Sequence, residues 1–245
     1  MSRPHLLGVP LDPITFEAFL AQIDEWVAAG DSLHQVCTIN PEFLVMAQEN
    51  AAFRAVLQRS ALNVIDGWGT ALALRWRGVP VPERVTGSDG VPRIVARAAE
   101  CGWRLFLLGA AEGVAAEAAR IFERQHPGVQ IVGTYAGSPA PEDAAQIIAR
   151  INNSGADILL VAYGAPAQDI WIETHRDKLH VTMAMGIGGT LDFVTGRVPR
   201  APRWMRRIGL EWLFRLYKQP WRWRRMLRLP RFAWWAWRYG EKAVP

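Results

Sequence analysis

WRLFLLGAAEGVAAEAARIFERQHPGVQIVGTY, residues 103–135, carries the pattern that decides the fold. An apolar run, WRLFLLG (103–109), ends on glycine. A stretch with apolar residues at three- and four-residue steps follows, EGVAAEAARIFERQ (112–125). A second β-branched run, VQIVGTY (129–135), completes the unit. Strand, helix and strand in about thirty residues predict a βαβ unit, whose two strands run parallel. The same kind of run recurs on either side: HQVCTI (34–39), LNVID (62–66), DILLVAY (157–163) and VTMAMGI (181–187). Helical periodicity fills 41–58 and 141–155. Strands that are apolar at nearly every position are buried on both faces. The expectation is an α/β fold, a mostly parallel sheet with helices on both faces.

The 245 residues, half of them hydrophobic, suffice for one such domain and an appendage. The charge is divided unevenly. Residues 197–245 hold 14 Arg and Lys against two Glu, and seven of the 12 tryptophans; residues 1–196 hold 14 basic and 21 acidic residues. The boundary is therefore drawn between a body, 1–196, and a basic, Trp-rich helical appendage, 197–245. The two cysteines, Cys37 and Cys101, suit a reducing cytoplasm and offer no metal spacing. The early apolar run LLGVPL is too short for a signal peptide and contains proline. No stretch reaches the roughly 20 apolar residues of a membrane-spanning helix; VTMAMGIGGTLDFVTG (181–196) comes nearest and carries Asp192.

In a parallel sheet the ligand sits outside the carboxyl ends of the strands. The residues there are Thr38 and Asn40, Asp66 and Gly67, Gly109 and Gly113, Tyr135 and Gly137, Gly164 and Gln168, then Gly188, Gly189 and Asp192. The Gly109–Gly113 turn would offer free N–H groups to phosphate. It equally serves to cap and pack a helix, and it is neither a dinucleotide fingerprint nor a P-loop. No D-x-D pair, nucleophile elbow or metal-ligand spacing occurs, and His34, His126, His175 and His180 are scattered. No metal and no cofactor are expected. Asp66, at a strand end before glycine, has two readings: a general base in a rim cleft, or a cap for the helix that follows.

The tail reads as two amphipathic segments, RWMRRIGLEWLFRLYK (203–218) and WRWRRMLRL (221–229), with Pro220 between them and Pro230 expected to break the second. Arginine and indole together suit an anionic membrane surface, where each cation contributes about 1 kcal/mol. Trp204, Trp212 and Leu216 are expected to pack partly on the body. Nucleic acid also attracts cations and aromatics, but no nucleic-acid module is present, and none is expected to bind.

Seven segments together resemble one family: TINPEFLVMAQEN (38–50), VIDGWGTALALRWRG (64–78), ERVTGSD (83–89), FLLGAAEGVAAEAA (106–119), YGAPAQDIWI (163–172), GIGGTLDFVTGRVPRAPRW (186–204) and the GLEWLFRL and PWRWRR stretches of 209–225. In order and spacing they are similar to the WecG/TagA/CpsF glycosyltransferases, over almost the whole chain. The resemblance implies a Rossmann-like fold and inverting, metal-independent transfer of a sugar from a UDP-sugar to a polyprenyl-diphosphate glycolipid, in cell-surface or exopolysaccharide synthesis. N-acetylmannosamine, its uronic acid and glucose are all compatible sugars. The resemblance implies Asp66 as base, with Thr38, Asn40, Arg84 and Gln168 beside it. For the UDP-sugar it implies Asp192 and Gln168, to which the rim adds Gly109, Tyr135 and Gly137. Arg215, Arg222 and Arg225 are implied to meet the acceptor diphosphate, with Trp221 and Trp223 at the membrane. The implied location is the cytoplasmic face of the bacterial inner membrane, peripherally held, with homo-oligomers possible. Where the family often has P-K-Q-E, this chain has Pro166-Ala167-Gln168-Asp169, so a lysine contact is missing and the sugar or acceptor can differ. A dinucleotide-dependent oxidoreductase is the alternative enzyme class, and the absent fingerprint argues against it.

Overall fold

A computed structural model of the chain describes residues 3–218, 220 and 223–244; for Arg203, Arg207 and Arg215 it describes the backbone alone. The chain begins with a hairpin of β1 (His5–Leu6) and β2 (Val9–Pro10), then α1 (Phe16–Ala29) and β3 (His34–Ile39). Next come α2 (Pro41–Glu49), α3 (Ala51–Arg59), β4 (Leu62–Ile65), α4 (Trp68–Trp76), α5 (Gly87–Cys101) and β5 (Arg104–Gly109). The βαβ unit continues through α6 (Val114–Gln125) to β6 (Gln130–Tyr135). Then follow α7 (Ala144–Ser154), β7 (Ile158–Ala162), α8 (Ala167–Thr174), β8 (Met183–Gly186) and α9 (Thr190–Val194). The tail supplies α10 (Arg203–Arg207), α11 (Glu211–Lys218), α12 (Trp223–Met226) and α13 (Arg228–Tyr239).

The main sheet has six strands in the order β4-β3-β8-β7-β5-β6. Every neighbouring pair is parallel, with Val36 opposite both Leu62 and Met185, and Leu160 opposite both Leu107 and Met185. Alternation along each strand feeds two apolar layers. Val36, Val64, Leu107, Leu160 and Met185 pack toward α1, α5 and α6. Cys37, Ile39 and Ile65 face α2, α3 and α13, while Leu108, Leu159 and Ala184 face α7 and α8. β4 lies on one side of β3 and every later strand on the other. That reversal opens a crevice at the carboxyl ends of β3 and β8.

Two expectations are corrected. The helical stretch 41–58 is two helices, because Asn50 leaves helical geometry and its side-chain oxygen caps α3 at Phe53 N, 3.0 Å away. Pro230 does not break the tail. It stands in the first turn of α13, where an N–H would have no partner within the helix.

The tail docks on the body at its far end. Phe232 and Ala236 of α13 enter the same apolar cluster as Cys37 and Ile39. Beyond α13, Leu7 N and Gly8 N donate to Gly240 O and Glu241 O at 2.8 and 2.9 Å, tying the chain's last residues to its first hairpin. The expected apolar face of 203–218, Trp204, Ile208, Trp212 and Leu216, turns mostly outward: Trp204, Ile208 and Trp212 are exposed and Leu216 is half-buried.

Candidate active site

Parallel strands end together, so their following residues share one rim. At the ends of β3, β4 and β8 they enclose a cavity of about 800 Å³, with the tail helices as the opposite wall. Thr38, Asn40, Asp66, Arg84, Gln168 and Arg225 all line it. Residues drawn from five separate stretches of sequence therefore meet in one place.

Each is held by its local structure. Asn40 caps α2, its Oδ1 accepting from Phe43 N at 3.0 Å, which fixes the turn after β3. Asp66 follows β4, half-buried, its N–H donating to Ile39 O at 3.0 Å. The N-cap of α4 is Gly67, directly after Asp66. Gly67 is required by close approach: a β-carbon there would stand 2.5 Å from Pro41 Cδ and 2.9 Å from Asn40 Cα. The Asp66 and Asn40 turns thus pack directly on each other.

Arg84 connects the body to the tail. Its Nη1 donates to the backbone oxygen of Asp66 at 3.4 Å and its Nη2 to that of Arg206 at 3.0 Å. Arg206, which sequence reasoning did not single out, lines the cavity and pairs with Asp89 at 3.2 Å; Arg200 pairs with the same carboxylate at 2.8 Å. Burial alone would raise the Asp89 pKa. The hydrogen bond and charge of Arg200, with Thr86 and Arg206, outweigh that and hold it below the ordinary carboxylate value. Two guanidiniums thus share the Asp89 carboxylate beside the start of α5, where Gly87 and Ser88 line the cavity and the helix end itself favours negative charge.

Gln168 is only 2 % exposed. Its Oε1 accepts from Gly164 N and from Gly188 N, each at 3.0 Å. One amide oxygen therefore stitches the turn after β7 to the turn after β8. Gly186 has no room for a β-carbon because Gln168 Nε2 and Asp169 Oδ1 fill that space. Asp169 is 0 % exposed, and burial pushes its pKa up to about 7. The neighbouring Cys37 thiol is raised as well, first by burial and then by the Asp169 charge.

The other residues singled out in the sequence fall elsewhere. Gly109, Tyr135, Gly137 and Asp192 are not among the residues lining this cavity; Tyr135 borders a separate shallow depression with Arg150 beside the edge strand β6. Trp223 is exposed on α12, off the lining. Trp221 and Arg222 lie outside the described residues, as does the Arg215 side chain. Among the described residues no group of three His, Cys, Asp or Glu side chains is placed to hold a metal ion. Nor is any helix among them long and apolar enough to cross a membrane.

The wall facing the catalytic candidates is apolar. Leu72 and Trp76 come from α4, Met226, Leu229, Phe232 and Trp237 from the tail, and Trp76 and Trp237 are 77 % and 71 % exposed. Leu72, Trp76, Met226, Leu229 and Phe232 carry no signal in the sequence, where their stripes resemble ordinary packing faces; Trp237 belongs to the indoles expected at the membrane. The cavity joins a polar floor bearing Asp66, the arginine-flanked start of α5, and an apolar side open to the surface; Glu42 and Glu211 also line it.

A family model described as "Glycosyl transferase WecG/TagA/CpsF family" matches residues 4–243. The chain is 34 % identical over 198 residues to an N-acetylglucosaminyldiphosphoundecaprenol N-acetyl-beta-D-mannosaminyltransferase of Bacillus spizizenii W23, covering 81 % of this chain and 76 % of that protein. It is 31 % identical to a protein of the same description from Bacillus subtilis 168, again over 198 residues, covering 81 % of this chain and 77 % of the relative.

Proposed function

This chain belongs to the WecG/TagA/CpsF family of glycosyltransferases, and on that premise we propose that it moves a hexosyl unit from a UDP-sugar to a polyprenyl-diphosphate-linked saccharide. The two relatives are named for transferring N-acetylmannosamine to N-acetylglucosaminyldiphosphoundecaprenol, which makes N-acetylmannosamine the first donor sugar to try. Its uronic acid and glucose are the next.

The observation that carries the reading is the two-sided cavity. A sugar nucleotide needs polar groups and positive charge; a polyprenyl diphosphate needs positive charge beside an apolar surface. Asp66, Asn40 and the start of α5 supply the first, and Arg225 with Met226, Leu229 and Trp237 the second, around one space.

In this reading a hydroxyl of the acceptor sugar attacks the anomeric carbon. Asp66 takes the hydroxyl's proton as the new C–O bond forms and the bond to the UDP oxygen breaks. Displacement in a single step inverts the anomeric centre. The departing diphosphate gains negative charge, met by Arg84, Arg206 and the first N–H groups of α5. Thr38 and Asn40 border the reacting sugar, and Gln168 keeps the glycine rim in place. A positioned base of this kind is worth about 10²–10⁴ in rate.

The division of labour proposed is a catalytic body, 1–196, and an appendage, 197–245, that completes the acceptor side and docks on the membrane. Exposed Trp204, Trp223, Trp234 and Trp237 among tail cations support peripheral binding to an anionic surface. The cytoplasmic face is the proposed location, because the donor is a soluble nucleotide and the acceptor is held in a bilayer.

The test is a binding comparison of UDP with NAD, followed by a UDP-release screen of the three donor sugars with a synthetic polyprenyl-diphosphate N-acetylglucosamine. The expected result is binding of UDP and not NAD, and UDP release that depends on the acceptor. Binding of NAD without UDP would move the chain to the oxidoreductase class.

A further inference from the structure

Two carboxylates of α2 hold three guanidiniums of the tail. Glu42 accepts from Arg225 Nε at 2.6 Å and Nη2 at 2.8 Å, and from Arg228 Nη1 at 3.2 Å. Glu49, two helical turns further on, accepts from Arg228 Nη2 at 3.3 Å and from Arg231. The two glutamates look alike as staples but differ in place. Glu42 and Arg225 both line the cavity; Glu49, Arg228 and Arg231 do not. The Glu42 side chain is 16 % exposed against 35 % for Glu49.

Glu42 is also the better-fixed anion. It stands in the first turn of α2, where the helix end favours a carboxylate, directly after the Asn40 cap and Pro41. It is thus part of the same rigid turn that faces Asp66. A guanidinium presents five donors, and the fork to Glu42 occupies one edge of Arg225 only. Arg225 is followed on the cavity wall by the apolar Met226 and Leu229. A diphosphate joined directly to a polyprenyl chain belongs where a cation borders an apolar wall.

Resting on the glycosyl transfer proposed above, we infer that Glu42 is a positioning residue for the acceptor, orienting Arg225 as a ligand of the acceptor's diphosphate. It touches no reacting atom. It sets the guanidinium in advance, so that acceptor binding does not have to order a long, rotamer-rich side chain.

The experiment uses the full chain, a UDP-sugar and a polyprenyl-diphosphate N-acetylglucosamine in detergent, with UDP affinity and melting temperature measured beside it. Glu42→Gln keeps the shape and removes the charge. The acceptor KM is expected to rise about tenfold, the order expected for unfixing one charged side chain, while kcat and UDP affinity stay within about twofold. Glu42→Asp should recover part of the loss. Glu49→Gln removes a staple of the same kind away from the cavity and should leave the acceptor KM near native.

An unchanged acceptor KM in Glu42→Gln overturns the inference. So does a lowered one, which would mean that Glu42 competes with the diphosphate. Equal rises in Glu42→Gln and Glu49→Gln would reduce both to tail anchoring. If Glu42→Gln does not fold, Arg225→Lys keeps the charge, loses the fork and must give the same KM rise. A native protein that binds UDP yet transfers nothing to the polyprenyl acceptor defeats the parent reading, and that is seen before any variant is made.

Discussion

Asp169 lies beneath the rim with no exposure, between Cys37 of β3 and Gln168. Burial holds its proton up to about pH 7, against an ordinary value of 3.8. Between those values the folded chain binds more protons than the unfolded chain, so this group's effect is a loss of stability as pH rises from about 4 to about 7. Glu173 is the nearby charge that also acts on this cluster, raising the Cys37 pKa. Asp169→Asn imitates the neutral acid. It should raise stability at pH 8 by roughly 2–4 kcal/mol and change it little near pH 4. Thermal melts at the two pH values check this; equal shifts at both would show that the proton plays no part. The same cluster marks the limit of reading residues from a string. Gln168 was visible as a rim residue, because it stands just after a strand and within a segment that resembles the family. That its amide oxygen joins Gly164 to Gly188 was not, because both partners are backbone groups, one of them 20 positions away. Asp66 was legible to the point of two readings, base and cap, and its place beside the Asn40 turn on the cavity floor came only from the fold. Glu42 gave no signal at all, since its partners lie 183 and 186 positions further along.

Elements were more legible than residues. All six strands of the main sheet fall where apolar runs stood, shortened by up to two residues at their ends. Their signal is local, because a strand buried on both faces must be apolar throughout. The break at Asn50 was missed because the apolar spacing continues across it, and only the side-chain cap reveals two helices. In the tail, periodicity found helices but not which face would be covered. α13 turns Phe232 and Ala236, four residues apart, into the body, and Trp234 and Trp237, three apart, outward. The outward pair, whose rings are 5.2 Å apart, is proposed to meet the bilayer. Replacing Trp234 and Trp237 together with Ala should weaken co-sedimentation with anionic vesicles about tenfold or more. The melting temperature should move by no more than about 2 °C, since neither ring is in the core. Unchanged partitioning would remove α13 as a membrane contact.

At the scale of the molecule, charge and topology serve one arrangement. The order of strands in the parallel sheet reverses beside β3, and the crevice this opens is where the polar candidates gather. The acidic body and basic tail, so unequal in the sequence, meet at Glu42, Glu49 and Asp89. Part of the tail's positive charge is thereby spent on docking, and its exposed indoles remain outside. The parallel sheet and the charge asymmetry could be read from order and composition. The apolar wall could not, because it exists only once α4 and α13 stand side by side. The central claim is that Asp66 deprotonates the acceptor hydroxyl in a cavity that binds a UDP-sugar. The most direct measurement is the rate of sugar transfer to a polyprenyl-diphosphate N-acetylglucosamine by the native chain and by Asp66→Asn, with UDP affinity determined on both. The account predicts a loss in kcat of about 10²–10⁴ with UDP affinity within about twofold; turnover near the native rate in Asp66→Asn would contradict it.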